Sequence, residues 1–531
     1  MCRIGAGLKP GCVCDLVMKH QKPCFYLFIA LFLHYLCTLI KQKDEEMNKD
    51  RLSQVVWLFL LSLVILFGLS LLPPLRIGAY ETRKIDMLSD LRDDDDDDEA
   101  YYADEYYEAP EAVPFEPVAV TDSGKKEAPD SIAAVLTVAD TIASDAVRRE
   151  ERPVRRVGDI VPIEDYTEAQ AGLRNMAVAM ENLSGLGRPA RILFLGDSFI
   201  EADILTQHIR ELLQQRYGGN GVGYMALHSD FPGFRRSVTQ SDKGWESRSV
   251  VKEGDMDCMS LTLQYYLPGV GSYTRYKGSS RYAHAESWEV SRVVYDAKGA
   301  ATLTLETDSG RHTYEIAAGE GVGMVTLYEP SERLTVRCDS ADVALWGVWL
   351  DGATGVAVDN VSMRGYSGGS IADIPRANIE ALQEAVPYDM VVLQYGLNRM
   401  SSGITDYSGF TKELKRVVAH LREAMPGVDI LLMGIGDRCE NRDGEMKTMK
   451  EVYAMRRAQR AAARESGCLF WDTCEAMKYD GGMTRFVENG WANKDYTHIS
   501  HAGGRPLARA FVRAMGYALG DSVIIEMTRA K

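Results

Sequence analysis

The chain of 531 residues lacks several features that mark large classes of proteins. It has no block of clustered Lys and Arg, which phosphate binding requires, so a nucleic-acid-binding role is disfavoured. No set of Cys and His residues has the spacing of a zinc site. The glycine-rich string at 219–223 follows a predicted helix instead of a strand, and it therefore indicates a turn. The sequence predicts no metal and no organic cofactor.

Cysteine is scarce in most of the chain. Five of the ten cysteines lie before Ile40, and the other five are Cys258, Cys338, Cys439, Cys468 and Cys474. A disulfide among the last three could form, but the spacing cannot give the pairing.

The acidic charge is confined to one short segment. Residues 86–130 hold 11 Asp, 6 Glu and 3 basic residues, a net charge of −14 out of −16 for the whole chain. The remainder is therefore almost neutral. Residues 83–161 combine this charge with several prolines, so we expect a disordered, self-repelling linker. The tyrosines among the acids could instead form a docking or cation-binding strip.

The N-terminal region has the composition of a membrane segment. Val55–Leu72 is an uncharged apolar run of 18 residues, about 27 Å long as a helix, and Pro73 ends it. We expect an uncleaved transmembrane anchor at 55–72, because no small-residue cleavage site follows and the run is long for a signal peptide. Lysines and an arginine precede it, which predicts that this preceding segment is cytoplasmic and that the rest of the chain lies on the periplasmic or outer side of the membrane.

The first 54 residues hold a second apolar run, at 24–40, which could be another span. Alternatively, Met47 is the true start of the protein and residues 1–46 are an extension of the gene annotation. Both interpretations predict an inner-membrane (plasma-membrane) protein whose body faces the periplasm or the exterior.

A parallel α/β domain is indicated after the linker. Residues 166–184 have helical periodicity, and Arg191–Leu195 is a continuous apolar strand of the kind buried in a parallel sheet. The strand leads into Gly196-Asp197-Ser198 and then a helix. This order places Ser198 at the carboxyl edge of the sheet, where α/β folds keep their active sites.

Three further segments supply strands or candidate site residues of the same domain. The strand at 390–395 ends in Gly396-Leu-Asn398, another lies at 430–433, and Asp495-Tyr-Thr-His498 precedes a C-terminal helix. The intervening residues 228–362 show short segments of alternating apolar and polar residues with glycine turns, which predicts an inserted antiparallel β-sandwich. Trp245, Trp288, Trp346 and Trp349 lie there and belong either to its core or to a sugar-stacking surface.

These blocks resemble the SGNH (GDSL-type) hydrolase superfamily. The resemblance rests on Gly196-Asp197-Ser198, Gly365-Tyr-Ser-Gly368, Gly396-Leu-Asn398 and the pair Asp495 and His498. Within the superfamily, the string from Gly196 to Tyr224 resembles peptidoglycan O-acetylesterases, which carry a carbohydrate-binding-like β-sandwich. The chain departs from the family pattern at Arg399, where Asp or Glu is common, and at GDSF in place of GDSL.

The resemblance implies a flavodoxin-like three-layer α/β/α domain at 162–227 and 363–520, with 521–531 as a tail. Ser198 would be the nucleophile, His498 the general base and Asp495 the residue that orients the histidine. The backbone N–H groups of Ser198 and Gly368 and the amide of Asn398 would form the oxyanion hole. His501 is an alternative base, but it lacks an acidic partner three residues earlier.

The predicted function is removal of O-acetyl groups from a cell-wall glycan, with peptidoglycan as the expected substrate. One alternative is an O-acetyltransferase that uses the same residues and receives acetyl groups from a membrane O-acyltransferase partner. Another is a non-catalytic, glycan-binding scaffold, and a lipase ranks lower because no apolar lid segment is evident.

Overall fold

The computed structural model describes residues 76–77, 80–81, 156–252 and 254–529, in two units divided after Asp98. In the first unit, β1 (Arg76–Ile77) and β2 (Tyr80–Glu81) pair antiparallel. The spans predicted at 24–40 and 55–72 lie outside the described residues. Among the residues that are described, no helix is long and apolar enough to cross a membrane.

Ordered structure in the second unit begins before the predicted linker boundary at residue 161. Val157 forms a β-bridge with Ile160, and Ile160 and Val161 are buried. The Trp471 Nε1–H donates to the Val161 carbonyl at 3.1 Å. The apolar side chains at the end of the predicted linker therefore belong to the folded domain, whereas residues 83–155 lie outside the description.

A six-stranded sheet forms the centre of this domain. Its strands are β3 (Glu164–Asp165), β4 (Ala190–Gly196), β14 (Val356–Ser362), β15 (Met390–Gln394), β16 (Asp429–Met433) and β19 (Leu469–Trp471). Their spatial order is β14-β4-β15-β16-β19-β3, and every pairing is parallel except that of the edge strand β3 with β19. Every residue of β4, β15 and β16 is buried, which requires cover on both faces of the sheet.

Helices provide that cover. They are α1 (Arg174–Glu181), α2 (Thr206–Tyr217), α3 (Arg376–Ala385), α4 (Ser408–Ala424), α5 (Lys450–Ser466), α6 (Thr473–Tyr479), α7 (Gly482–Glu488), α8 (His501–Leu519) and α9 (Ser522–Met527). Helix α2 packs against α8, and α4 packs against both α3 and α5. Phe194 of β4 makes an edge-on ring contact with Phe511 of α8.

Two elements differ from the sequence prediction. The helix predicted at 166–184 is shorter, because a short 3₁₀ turn with a left-handed Ala169 and Gln170 precedes α1. The predicted tail at 521–531 contains α9, whose N-terminus is capped by Asp521. Asp521 also accepts hydrogen bonds from Arg216 and Tyr217 of α2, so this end of the chain packs onto the domain.

A separate antiparallel sheet of nine strands fills the inserted region. Its strands are β5 (Gly221–Met225), β6 (Val238–Ser249), β7 (Gln264–Gly278), β8 (Trp288–Ala297), β9 (Ala301–Glu306), β10 (Arg311–Ile316), β11 (Gly321–Ser331), β12 (Arg333–Cys338) and β13 (Val343–Asp351). Their spatial order is β10-β9-β12-β7-β13-β8-β11, and β5 pairs with β13 and β6 with β7. The short hairpin β17 (Cys439–Arg442) and β18 (Glu445–Thr448) lies apart from both sheets.

Two strands move the boundaries of the insertion. The sequence prediction places residues up to 227 in the hydrolase domain and residues 228–362 in the insertion. The structure instead places β5 in the antiparallel sheet and β14 in the parallel sheet, next to β4. Both strands are short and almost fully buried, and neither has a clean alternation of apolar and polar residues, so their sequence alone does not distinguish the two kinds of sheet.

The antiparallel sheet has a hydrophobic core of its own, distinct from that of the parallel sheet. Trp245 and Trp288 lie in this second core, whereas Trp346 and Trp349 are buried in the core that contains the parallel sheet. All four are therefore core residues, and none of them lies on the surface to stack on a sugar. The five cysteines in the described residues are buried and free, so Cys439, Cys468 and Cys474 form no disulfide there.

A buried ionic cluster joins the two sheets. Arg191 of β4 contacts Asp351 of β13 at 2.7 Å and Asp359 of β14 at 3.1 Å. The Trp349 Nε1–H donates to Asp359 at 2.9 Å, as does the Tyr224 backbone N–H. Since removing one member would leave a buried charge uncompensated, this cluster fixes the insertion relative to the parallel sheet.

Candidate active site

Ser198 lies where the sequence places it, directly beyond the carboxyl end of β4. The strand ends at Gly196, and the Asp197 carboxylate turns the chain by accepting the Phe199 backbone N–H at 3.0 Å. Ser198 is 7% exposed and thus mostly buried. A tight turn after a buried strand therefore presents this hydroxyl at the edge of the sheet.

His498 contacts Ser198 from a different part of the chain. Its Nε2 lies 3.0 Å from the Ser198 Oγ, and its Nδ1 lies 2.6 Å from an Asp495 carboxylate oxygen. Because an ionised carboxylate only accepts hydrogen bonds, Nδ1 carries the proton and Nε2 is left to accept the serine O–H. The three side chains thus form a continuous hydrogen-bonded chain, which we call the serine–histidine–aspartate cluster.

The loop that carries His498 is held in a strained turn. Tyr496 has a left-handed backbone with a φ of 54°, which is uncommon for a non-glycine residue. The turn is closed by a β-bridge between Ala492 and Ile499 and by the Asn493 N–H, which donates to the His498 carbonyl at 2.8 Å. This geometry lets Asp495 and His498 meet within one turn of chain.

Helix α8 brings this loop close to Ser198. A Cβ on Gly504 would lie 1.9 Å from the Ile204 carbonyl oxygen, so only glycine allows α8 to approach the backbone that follows Ser198. Ser500 caps the helix by accepting the Gly503 N–H at 3.2 Å. The two glycines after His501 are therefore part of how the site is assembled.

Asp495 remains a carboxylate in this arrangement. Burial alone would raise its pKa, but the hydrogen bonds from the His498 ring, from the His498 backbone N–H and from Thr497 lower the pKa on balance. An ionised Asp495 can hold the imidazole in one tautomer and stabilise the imidazolium that forms when His498 accepts a proton.

The oxyanion-hole candidates lie on two neighbouring loops. Gly368 has a left-handed φ of 83°, and a Cβ there would lie 2.6 Å from the Tyr395 ring. The Asn398 amide nitrogen lies 3.1 Å from the Tyr366 carbonyl and 3.3 Å from the Asp197 carboxylate. Asn398 therefore ties the Gly368 loop to the Ser198 turn, and its N–H groups are already engaged.

Asp197 is a functional candidate that the sequence analysis leaves without a role. It is fully buried, and this burial raises its pKa to about 7, although the Phe199 N–H and the nearby His498 act in the opposite direction. A buried carboxyl that hydrogen-bonds both the serine turn and Asn398 couples these two segments. Its place inside the Gly-Asp-Ser string is the only signal for it in the sequence.

The alternative base His501 lies elsewhere. Its Nε2–H donates to the Phe234 carbonyl at 3.0 Å, and its Nδ1 accepts from the Gln207 amide at 2.9 Å. Burial, followed by the charge of Arg236, lowers the pKa of His501 to about 3. His501 is thus a neutral, internally hydrogen-bonded histidine. The described residues also contain no group of three or more side chains suited to hold a metal ion.

The comparisons with known proteins concern the family and the fold of the domain that carries this site. Residues 316–505 match the model of the GDSL-like lipase/acylhydrolase family. The matched residues support the SGNH (GDSL-type) resemblance of this domain. The match includes Gly368, Asn398, Asp495 and His498, whereas Ser198 precedes it because the insertion separates the serine block from the rest. The prediction of an ester-hydrolysing enzyme is confirmed.

Solved structures extend the comparison. A peptidoglycan O-acetylesterase matches with 21% identity and a TM-score of 0.56, over 68% of this chain and 99% of that one. A Bacillus subtilis protein matches with 14% identity and a TM-score of 0.28, over 56% of this chain and 98% of that one. The first likeness supports the fold of the hydrolase domain with its insertion. A comparison with curated proteins finds no match.

Proposed function

We propose that the protein is a serine esterase that removes O-acetyl groups from a cell-wall glycan, with peptidoglycan as the substrate. The observation that carries the proposal is the serine–histidine–aspartate cluster, with 3.0 Å between Ser198 Oγ and His498 Nε2 and 2.6 Å between His498 Nδ1 and Asp495. These distances are within the reach that proton transfer from a nucleophile to a general base requires.

The reaction proceeds in two halves. Ser198 Oγ attacks the acetyl carbonyl carbon while His498 Nε2 takes the hydroxyl proton, and the carbonyl π electrons move onto oxygen. Collapse of this intermediate breaks the ester bond, and His498 protonates the sugar oxygen that leaves. Water then attacks the acetyl-serine, again losing its proton to His498, and acetate is released as Ser198 recovers its hydroxyl.

The oxyanion is stabilised by donors on three segments. The backbone N–H groups of Ser198 and Gly368 and the Asn398 amide are the proposed donors, and one such donor is typically worth about 100- to 1000-fold in rate. Because the Asn398 N–H groups bind Asp197 and Tyr366 in the free protein, Asn398 must exchange one of these partners for the oxyanion.

A glycan substrate is supported by the solved-structure match. The alignment covers 68% of the chain, which is more residues than the parallel-sheet domain contains. The likeness therefore extends into the antiparallel sheet. The named activity of that protein is peptidoglycan O-acetyl ester hydrolysis. The almost neutral charge of the chain outside residues 86–130 suits a sugar polymer, which needs no strong steering field.

The location belongs to the proposal as well. The apolar run 55–72 and the basic residues before it support an inner-membrane anchor with the hydrolase domain on the periplasmic or outer side. In intact cells, a reporter enzyme that is active only outside the cytoplasm should function when fused to the C-terminus. Activity of a cytoplasm-only reporter at the same fusion point would contradict this orientation.

The experiment measures acetate released from O-acetylated peptidoglycan by the full-length protein in detergent. Wild type should release acetate and Ser198→Ala should not, whereas equal release by both would overturn the proposal. Acetyl groups that move to an acceptor glycan faster than acetate forms would instead identify a transferase. No turnover of acetylated glycan or of an aryl acetate would leave only a binding scaffold.

A further inference from the structure

A pocket of about 530 Å³ lies next to the Gly368 loop, and we call it the basic pocket. It is lined by the loop residues 366–370 except Gly368, by Arg399, and by Lys412, Glu413 and Arg416 of helix α4. Its volume is in the range of small-molecule sites. Since Gly368 stands between two lining residues, the pocket opens beside the proposed oxyanion hole.

The lining is positively charged. It holds three cationic side chains and one carboxylate, a net charge of +2. Asp373, which pairs with Arg416 at 3.4 Å, adds one negative charge at the edge, and the site remains positive. A neutral sugar needs no such lining, whereas a carboxylate is bound favourably by converging Arg and Lys side chains.

The arginines are held in place before any ligand binds. Arg399 is paired with Glu413, and Arg416 donates to the Gly369 carbonyl at 3.1 Å. The Arg399 Nε is buried and has no hydrogen-bond partner within the described part of the chain. A buried donor without a partner is costly, so this arginine is held in place at a cost that its other contacts offset.

Short contacts connect the pocket to the serine. Arg399 directly follows Asn398, whose amide nitrogen lies 3.1 Å from the carbonyl of Tyr366, a lining residue. The same amide nitrogen lies 3.3 Å from Asp197, next to Ser198. Asn398 therefore links the wall of the pocket to the turn that carries Ser198.

We propose that the basic pocket binds a carboxylate carried by the glycan near the acetylated position, and that Lys412 and Arg416 select acidic over neutral substrates. The proposal rests on the esterase function and names a substrate feature of the same site. It also gives a role to Arg399, at the position where related enzymes often have an acidic residue.

The test uses sugar esters that differ in one group, methyl 3-O-acetyl-glucuronoside and methyl 3-O-acetyl-glucoside, with the full-length protein. Wild type should have the lower KM for the acid. In Lys412→Gln and Arg416→Gln, the KM for the acid should rise by about three- to tenfold. In Lys412→Gln, the kcat for both esters and the KM for the neutral ester should not change.

Lys415→Gln is the matched control, because Lys415 lies on the same helix but pairs with Glu465 on α5 and should leave every constant unchanged. Equal KM values for the two esters, or a pocket variant that keeps the wild-type ratio, would overturn the pocket assignment alone. A 6-phosphorylated 3-O-acetyl-glucoside preferred over the acid would overturn the choice of a carboxylate. Hydrolysis of neither ester nor of an aryl acetate would overturn the esterase function and the pocket together.

Discussion

Two histidines three residues apart occupy opposite environments in this protein. His498 is about a quarter exposed and contacts Ser198 and Asp495, whereas His501 is buried and bonded to Gln207 and to the Phe234 carbonyl. The first has one nitrogen directed at a reactive hydroxyl, and the second has both nitrogens used by the fold. A histidine is therefore not identified as a catalytic base by its residue type alone, because its hydrogen-bond partners determine whether it can accept a proton from the nucleophile.

Replacing these histidines one at a time should give the largest contrast. His498→Ala should lower kcat/KM for an aryl acetate by at least about 10⁴-fold, because the serine loses its general base. His501→Gln should stay within about tenfold of wild type, since it removes only a structural contact. Steady-state kinetics on both variants checks this, and a comparable loss in His501→Gln would abolish the distinction.

Replacing the acidic partner should have a smaller effect. In Asp495→Asn, the amide can donate to Nδ1, which favours the wrong tautomer of His498, and kcat should fall by about 10³- to 10⁴-fold. Circular dichroism should show an unchanged fold, because the Asp495 side chain is partly exposed on a loop and the substitution conserves its size. A variant that keeps wild-type kcat would mean that His498 needs no orienting carboxylate.

The buried histidine should be detected through stability instead of activity. Its folded-state pKa of about 3 lies below the value of 6.5 for an unfolded histidine, so the unfolded state binds more protons between these values. Stability is thus lost as the pH falls below 6.5, by about 2 kcal/mol at pH 5.

Urea unfolding between pH 5 and 7 provides the measurement. In His501→Gln, the free energy of unfolding should change less over this range than in wild type, by about the same 2 kcal/mol. A variant whose curve runs parallel to that of wild type would show that His501 is not held neutral by the fold.

The sequence predicts this site well where chemistry depends on order along the chain. Ser198, Asn398 and the Asp495–His498 pair follow predicted strands or precede a predicted helix, so the parallel topology brings them to one edge. The three-residue spacing also distinguishes His498 from His501, because only the first has an acidic partner within one turn.

Other features depend on contacts that are distant in sequence. The role of Asp197 requires its burial against Asn398, 201 residues away. The basic pocket requires α4 to pack on the Gly368 loop. β5 belongs to the antiparallel sheet and β14 to the parallel sheet through pairings that no local pattern specifies. The anchor and most of the linker stay predictions, since they lie outside the described residues.

The central claim is that His498 activates Ser198 as a nucleophile, and covalent labelling tests it most directly. A fluorophosphonate should label the full-length protein at one residue, which peptide mass spectrometry should identify as Ser198. His498→Ala should react far more slowly, whereas His501→Gln should react like wild type. A label on another residue, or equal labelling of Ser198 in the absence of His498, would contradict the account.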